Sequence, residues 1–222
     1  MIMWMKIAAC SSLGLMVSGC AWLRASDVDV DSKRPGQDVH VMEGATLALL
    51  PVDVLRDDFL MRQHVSVQWA DRKESFDAVL QKRGKTLLLM GLGPMNTVGF
   101  SLTLDDRGVT FENRSGREMP FQPERILADV QRVFYPWMKE SSLCVKCVRH
   151  EIRSGLEVRE RIGARFLEER SFRVVGRPDL GEVVIRYEGW TRGSLAPSRA
   201  ILRNDWFDYE LIIDTMSVER FD

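Results

Sequence analysis

Histidine is scarce in this 222-residue chain: three occur, at His40, His64 and His150. His40 lies in a polar N-terminal stretch, and His64 sits among residues that alternate with apolar ones. The chain has no Gly-x-Ser-x-Gly elbow and no His-Glu-x-x-His motif, so two common hydrolytic signatures are missing. An excess of one charge is missing as well. The formal net charge is -1 with 28% charged residues, the two signs are interspersed, and nothing points to nucleic acid. Beyond the N-terminus no apolar run reaches the about 20 residues that a membrane-spanning helix needs. Cysteine is limited to four residues. Two of them, Cys144 and Cys147, are spaced C-x-x-C, with no second pair to complete a zinc site. Val148 follows where haem attachment would need histidine. The pair follows Glu140-Ser141-Ser142 in a loop-like stretch, not at the strand-to-helix junction of a thioredoxin-like site, so a small disulfide is favoured over a redox pair. The expectation is a protein that is not an enzyme and takes no metal and no cofactor.

What the chain does have begins at its N-terminus. Lys6 precedes an apolar run from Ile7 to Val17 broken only by Ser11, Ser12 and Gly14. The run is too short to span a bilayer and has the proportions of a signal-peptide core. It leads into Val17-Ser18-Gly19-Cys20, a lipobox, in place of an Ala-x-Ala cleavage site. Residues 1–19 therefore read as a lipoprotein signal peptide, with Cys20 the first residue of the mature chain. By resemblance to bacterial lipoproteins, Cys20 would carry a thioether-linked diacylglycerol and an amide-linked third chain, and several acyl chains together anchor stably. Ala21 in place of Asp after the cysteine resembles the outer-membrane address. Residues 20–43 are polar and lack apolar periodicity, which reads as a flexible tether with a reach of roughly 25 Å.

Residues 44–222 read as one domain. In Phe59, Met61, Val65, Val67 and Trp69 the apolar side chains fall at every second position, broken at Gln63, the period of a half-buried strand. Phe76, Ala78 and Leu80 repeat it. The run from Thr86 to Leu92 is continuously apolar and reads as a strand buried on both faces. Val98 to Leu104 and the segment from Val109 extend an antiparallel meander. Then the period changes once. Ile126, Leu127, Val130, Val133, Phe134 and Trp137 recur at helical spacing after Pro123, with Glu124, Arg125, Asp129 and Arg132 on the other side. Strands resume over 157–162, 164–175, 182–190, 198–203 and 209–218. The fold class is α+β: a curved antiparallel sheet forming an incomplete barrel, with a helix packed in its concave side. Glu157, Glu160, Glu168 and Glu169 alternate with Arg159, Arg161, Arg165 and Arg170, most simply a solvated face of paired charges; the sharper alternative is an arginine-rich face resting on anionic headgroups.

Gly91-Leu92-Gly93-Pro94 follows a strand but is no dinucleotide loop, because Asn96 replaces the third glycine and a strand follows. Instead, the stretch Leu87 to Thr97, running on to Phe100-Ser101-Leu102 and the Gly108 turn, resembles the strand, Pro-containing turn and strand of the outer-membrane lipoprotein receptor LolB and its relatives. The closing strands Val184 to Gly189, Pro197 to Leu202 and Tyr209 to Val218 are similar too. Phe121 to Asp129, with Gly91 to Pro94, most resembles an uncharacterised lipoprotein family of aryl polyene biosynthesis clusters. The resemblance implies an outer-membrane, periplasm-facing lipoprotein that binds a lipid or acylated molecule in an apolar cavity and helps transfer or insert it, with an aryl polyene lipid as cargo and a periplasmic carrier as donor. It implies a cavity lined by Val67, Trp69, Phe76, Leu87, Leu89, Phe100, Leu102, Val130, Phe134 and Trp137. Met95, in the turn after Pro94, would take the place of the family's protruding leucine that contacts the membrane. The reading from a different class is a non-transporting envelope scaffold that binds a protein partner.

Overall fold

The computed structural model describes residues 30–33, 38–42, 45–116, 122–138, 144–153 and 155–221. The lipobox, Cys20 and much of the tether lie outside these residues. Two short strands, β1 (Val30–Lys33) and β2 (Asp38–Met42), fall within the span read as a tether, and β2 pairs with β3 (Ala45–Ala48).

A first meander runs through β4 (Asp58–Trp69), β5 (Arg72–Arg83), β6 (Thr86–Leu92), β7 (Val98–Asp105) and β8 (Gly108–Asn113). After α1 (Pro123–Phe134) a second follows: β9 (Cys147–Arg153), β10 (Leu156–Ile162), β11 (Leu167–Val174), β12 (Val183–Glu188), β13 (Arg199–Asn204) and β14 (Tyr209–Phe221). Among the described residues these strands and β1 form one twelve-stranded sheet, in the order β1-β8-β7-β6-β5-β4-β14-β13-β12-β11-β10-β9. Every pairing in it is antiparallel, and β14 joins the two meanders by pairing with β4 from Tyr209 opposite Trp69 to Phe221 opposite Asp58. The sheet is open, with β1 and β9 at its edges. A sheet of this many strands must curl, and it curls round α1.

The alternation predicted for the strands is present, but β6 is not buried on both faces. Leu87, Leu89 and Gly91 are buried on the concave side, while Leu88 and Met90 are half-buried on the other. Only the concave face meets the helix. β9 lies where a loop was expected, because its apolar residues, Val148 and Ile152, point to solvent and give no signal of burial.

The helix also departs from expectation. It is amphipathic in sequence, yet Glu124, Asp129 and Arg132 are buried with its apolar residues, because the sheet reaches round both flanks. Burial deprives the last helical carbonyls of water, and side chains replace it. Trp137 Nε1 donates to the Gln131 carbonyl at 2.8 Å, Arg170 to those of Arg132 at 2.7 Å and Tyr135 at 3.0 Å, and the Tyr187 hydroxyl to that of Val133 at 3.0 Å. The Gln131 amide pairs both ways with the Leu50 backbone, at 2.7 and 2.8 Å.

The solvated-charge reading of β10 and β11 is corrected for one pair. Glu160 and Arg170 are 2% and 5% exposed and share the concave face with Val158 and Phe172. Their ion pair is 2.7 Å long, and Arg149 reaches the other Glu160 oxygen at 2.5 Å. Arg170 faces inward because the end of α1 needs a donor and Glu160 compensates the charge.

Candidate functional site

Between α1 and the concave face lies a cavity of about 250 Å³. Its walls come from β4 to β7, α1 and β14, and the exposed residues Glu74 and Ser115 mark its open side. Gly91 makes room for one wall: Phe100, its cross-strand partner, lies over it so closely that a Cβ there would meet the ring at 2.0 Å. The Phe100 ring then stands edge-on to Phe76, centroids 5.9 Å apart.

Six of the residues expected to line a cavity do so: Val67, Phe76, Leu89, Phe100, Val130 and Phe134. The other four lie outside its lining. Leu87 and Leu102 are fully buried in the closely packed end of the concave face, beside Leu80 and Leu104. Alternation places them on the same face as Leu89 and Phe100, but says nothing of where along that face the packing stops. Trp137 is past the end of α1, 1% exposed, its ring edge-on to Phe172 at 4.9 Å. Trp69 is half-buried at the end of β4, packed against the core.

Sequence reasoning missed the buried polar members of the lining, Gln63, Asp129 and Tyr209. Asp129 accepts hydrogen bonds from Arg132 at 2.5 Å and from the Tyr209 hydroxyl, which in turn accepts from Asn204 Nδ2 at 2.8 Å. Burial raises the Asp129 carboxyl above the usual carboxylate range, against the pull of Arg132, and burial together with the Asp129 charge holds the Tyr209 phenol well above its ordinary value. This network ties α1 to β13 and β14; Arg132, stacked over the Trp206 ring, leaves its Nε and Nη2 without hydrogen-bond partners. Gln63 takes no part in it. It is 3% exposed, and its amide nitrogen has no hydrogen-bond partner, a condition that costs about 1–3 kcal/mol. The signal was the single break in the alternation from Phe59 to Trp69.

The turn after β6 projects Met95. Gly93 N–H donates to the Thr97 carbonyl at 2.7 Å, and Pro94 to Asn96 form one 3₁₀ turn between them. Met95 is held at φ 58°, ψ 30° and is 92% exposed, an uncommon backbone region for methionine. Gly93 and Gly99, on either side of this tip, both line the cavity.

Elsewhere, Cys144 and Cys147 are joined in a disulfide with Cα atoms 6.0 Å apart, at the start of β9 rather than of a helix. On the convex face several arginines are matched by carboxylates: Arg173 with Glu182 at 2.9 Å, Arg199 with Asp214 at 2.6 Å, Arg161 with Glu169 at 3.3 Å. Among the described residues no helix is long and apolar enough to cross a membrane.

The geometry is that of an open sheet curled round a helix with an apolar cavity between them. The chain belongs to the family described as protein of unknown function DUF3261, whose model matches residues 60–217. No curated protein matches it in sequence. Among solved structures it is similar to a LolA superfamily protein from Nitrosomonas europaea, at 13% identity and a TM-score of 0.45, covering 75% of this chain and 87% of that one. It is also similar to an outer membrane lipoprotein-sorting protein domain from Vibrio parahaemolyticus, at 9% identity and a TM-score of 0.43, covering 77% and 92%. A DUF1329 family protein from Desulfovibrio piger matches at 14% identity and a TM-score of 0.30, covering 76% and 88%.

Proposed function

We propose that the mature chain is an outer-membrane lipoprotein, anchored through acylated Cys20 and facing the periplasm, that takes a lipidic molecule into the cavity under α1 and helps to transfer or insert it into the membrane. The observation that carries this reading is the apolar cavity of about 250 Å³ flanked by the exposed Met95 tip. An apolar cavity of about 150 Å³ takes up a benzene ring, so this one has room for a chain of more than about six carbons. That suits one acyl or polyene chain rather than several, and each buried methylene contributes about 0.8 kcal/mol before ordering costs. Met95 enters the lipid surface at release, and an aryl polyene lipid handed over by a periplasmic carrier is the leading cargo.

The test is displacement of a fluorescent fatty acid from the purified chain. Binding at micromolar concentration is expected, with a marked loss in Ala78→Leu, because Ala78 is a 2% exposed part of the wall and a larger side chain there fills the cavity. No binding by the parent chain would sink the proposal. One observation favours a scaffold instead: edge strand β9 leaves Val148 50% and Ile152 62% exposed, a place where a partner strand could add. Native mass spectrometry of chain purified from its own host separates the two, since a co-purifying lipid supports transfer and a lipid-free chain favours the scaffold.

A further inference from the structure

The apolar lining of the cavity is interrupted at one end, and the interruption has a direction. In β4 the concave face reads Phe59, Met61, Gln63, Val65, Val67. Across the sheet Gln63 stands in a row with Ala78 of β5, Gly91 of β6 and Phe100 of β7. The next row on one side is Met61, Leu80, Leu89 and Leu102; of these Leu89 still borders the cavity, and the other three are no more than 2% exposed and lie outside its lining. On the other side Val65 and Phe76 border the cavity, which runs out to the exposed Glu74. Gln63 therefore stands where the packed core ends and the cavity begins, at its inner end. Its amide nitrogen, itself out of reach of water, has no hydrogen-bond partner and carries two N–H donors. An aliphatic side chain at this position would keep the alternation and avoid the cost of a buried unpaired donor.

We infer that Gln63 recognises the inner end of the bound molecule, and that this end carries a hydrogen-bond acceptor, such as a hydroxyl, ether or carbonyl oxygen, rather than a bare hydrocarbon terminus. The inference rests on the lipid-binding reading above and narrows it to chains functionalised at the end that enters first. A purely apolar cavity selects the opposite way, because a polar terminus must give up its hydration without replacement. The sign of the preference therefore carries the answer.

The experiment measures displacement of the fluorescent fatty acid by a medium-chain fatty acid and by its ω-hydroxy analogue, for the parent chain and for Gln63→Met, which matches the side chain in size without its donors. The parent chain should bind the ω-hydroxy acid about fivefold more tightly than the plain acid, the yield of one neutral hydrogen bond. Gln63→Met should reverse the order while binding the plain acid at least as well. A parent chain that prefers the plain acid, or equal preferences in the two proteins, overturns the inference and leaves lipid binding standing; a water molecule on Gln63 would give the second result. If neither acid nor the probe binds the parent chain, the lipid-binding reading falls and takes this one with it. A parent chain that prefers the plain acid overturns the inference even if the variant does not fold.

Discussion

Gln63 and Met95 are two side chains whose positions folding alone does not explain. Gln63 puts an amide nitrogen with no partner into a buried site, so removing the polar group should help the empty protein. Gln63→Met is expected to raise stability by about 1 kcal/mol, read as a higher midpoint in urea unfolding; a loss of similar size would show that the amide is satisfied. Met95, 92% exposed, should tolerate almost anything. Met95→Glu is expected to change stability by no more than about 0.5 kcal/mol, while insertion into a lipid monolayer falls sharply, because a charge is costly in hydrocarbon. A markedly lower melting temperature, or unchanged insertion, would remove the membrane-contact role. The tip was legible in the sequence, since Pro94 ends a strand and an apolar residue follows it. Gln63 was visible only as a missing beat in an apolar alternation; that it stands at the junction of core and cavity depends on how far α1 covers β4.

At the scale of elements, the end of α1 is where stability concentrates. Arg170 supplies donors to the Arg132 and Tyr135 carbonyls and pairs with Glu160, all out of water. Arg170→Met leaves Glu160 buried with Arg149 and two carbonyls unfilled, and is expected to cost about 3–5 kcal/mol in chemical unfolding. Replacing Glu160 with Met as well should recover part of that loss, since the stranded charge goes with it. A double variant weaker than the single by the full cost of a second, independent lesion would show that the two residues do not act as a pair. The helix itself was legible from its 3.6-residue spacing. Its polar side, opposite the apolar stripe, is enclosed because strands far apart in sequence, β11 and β14 among them, supply partners for Arg132 and Asp129; a periodicity shows that two faces differ, not that one of them meets water.

For the whole molecule, the three tyrosines of the chain are all buried against α1 or its C-terminal extension, Tyr135, Tyr187 and Tyr209 being 1%, 6% and 8% exposed. Burial pushes the Tyr187 phenol from 10.0 up to about 12, and the other two move the same way. The folded chain thus holds these protons after the unfolded chain has released them. Stability from Tyr187 is complete below pH 10 and is lost as the pH rises toward about 12, a change of about 3 kcal/mol. Phenolate absorbance should therefore rise only with unfolding, and the stability gap between the parent chain and Tyr187→Phe should narrow as the pH climbs above 10.0. Free titration of all three phenols near their ordinary value in the folded chain would refute this.

Patterns of period two, one stretch of period 3.6 and the proline and glycine punctuation between them determined an antiparallel sheet with a helix, and Pro94 determined that a turn would present Met95. Those signals are local, so they survive in a one-dimensional reading. The pairing of β14 with β4, the burial of Glu160 and Arg170, and the division of one concave face into a packed end and an empty end were decided only in three dimensions. Each depends on which distant segment arrives to cover a given side chain, and Leu87 and Leu89 differ in that respect although they are two residues apart on the same face of the same strand.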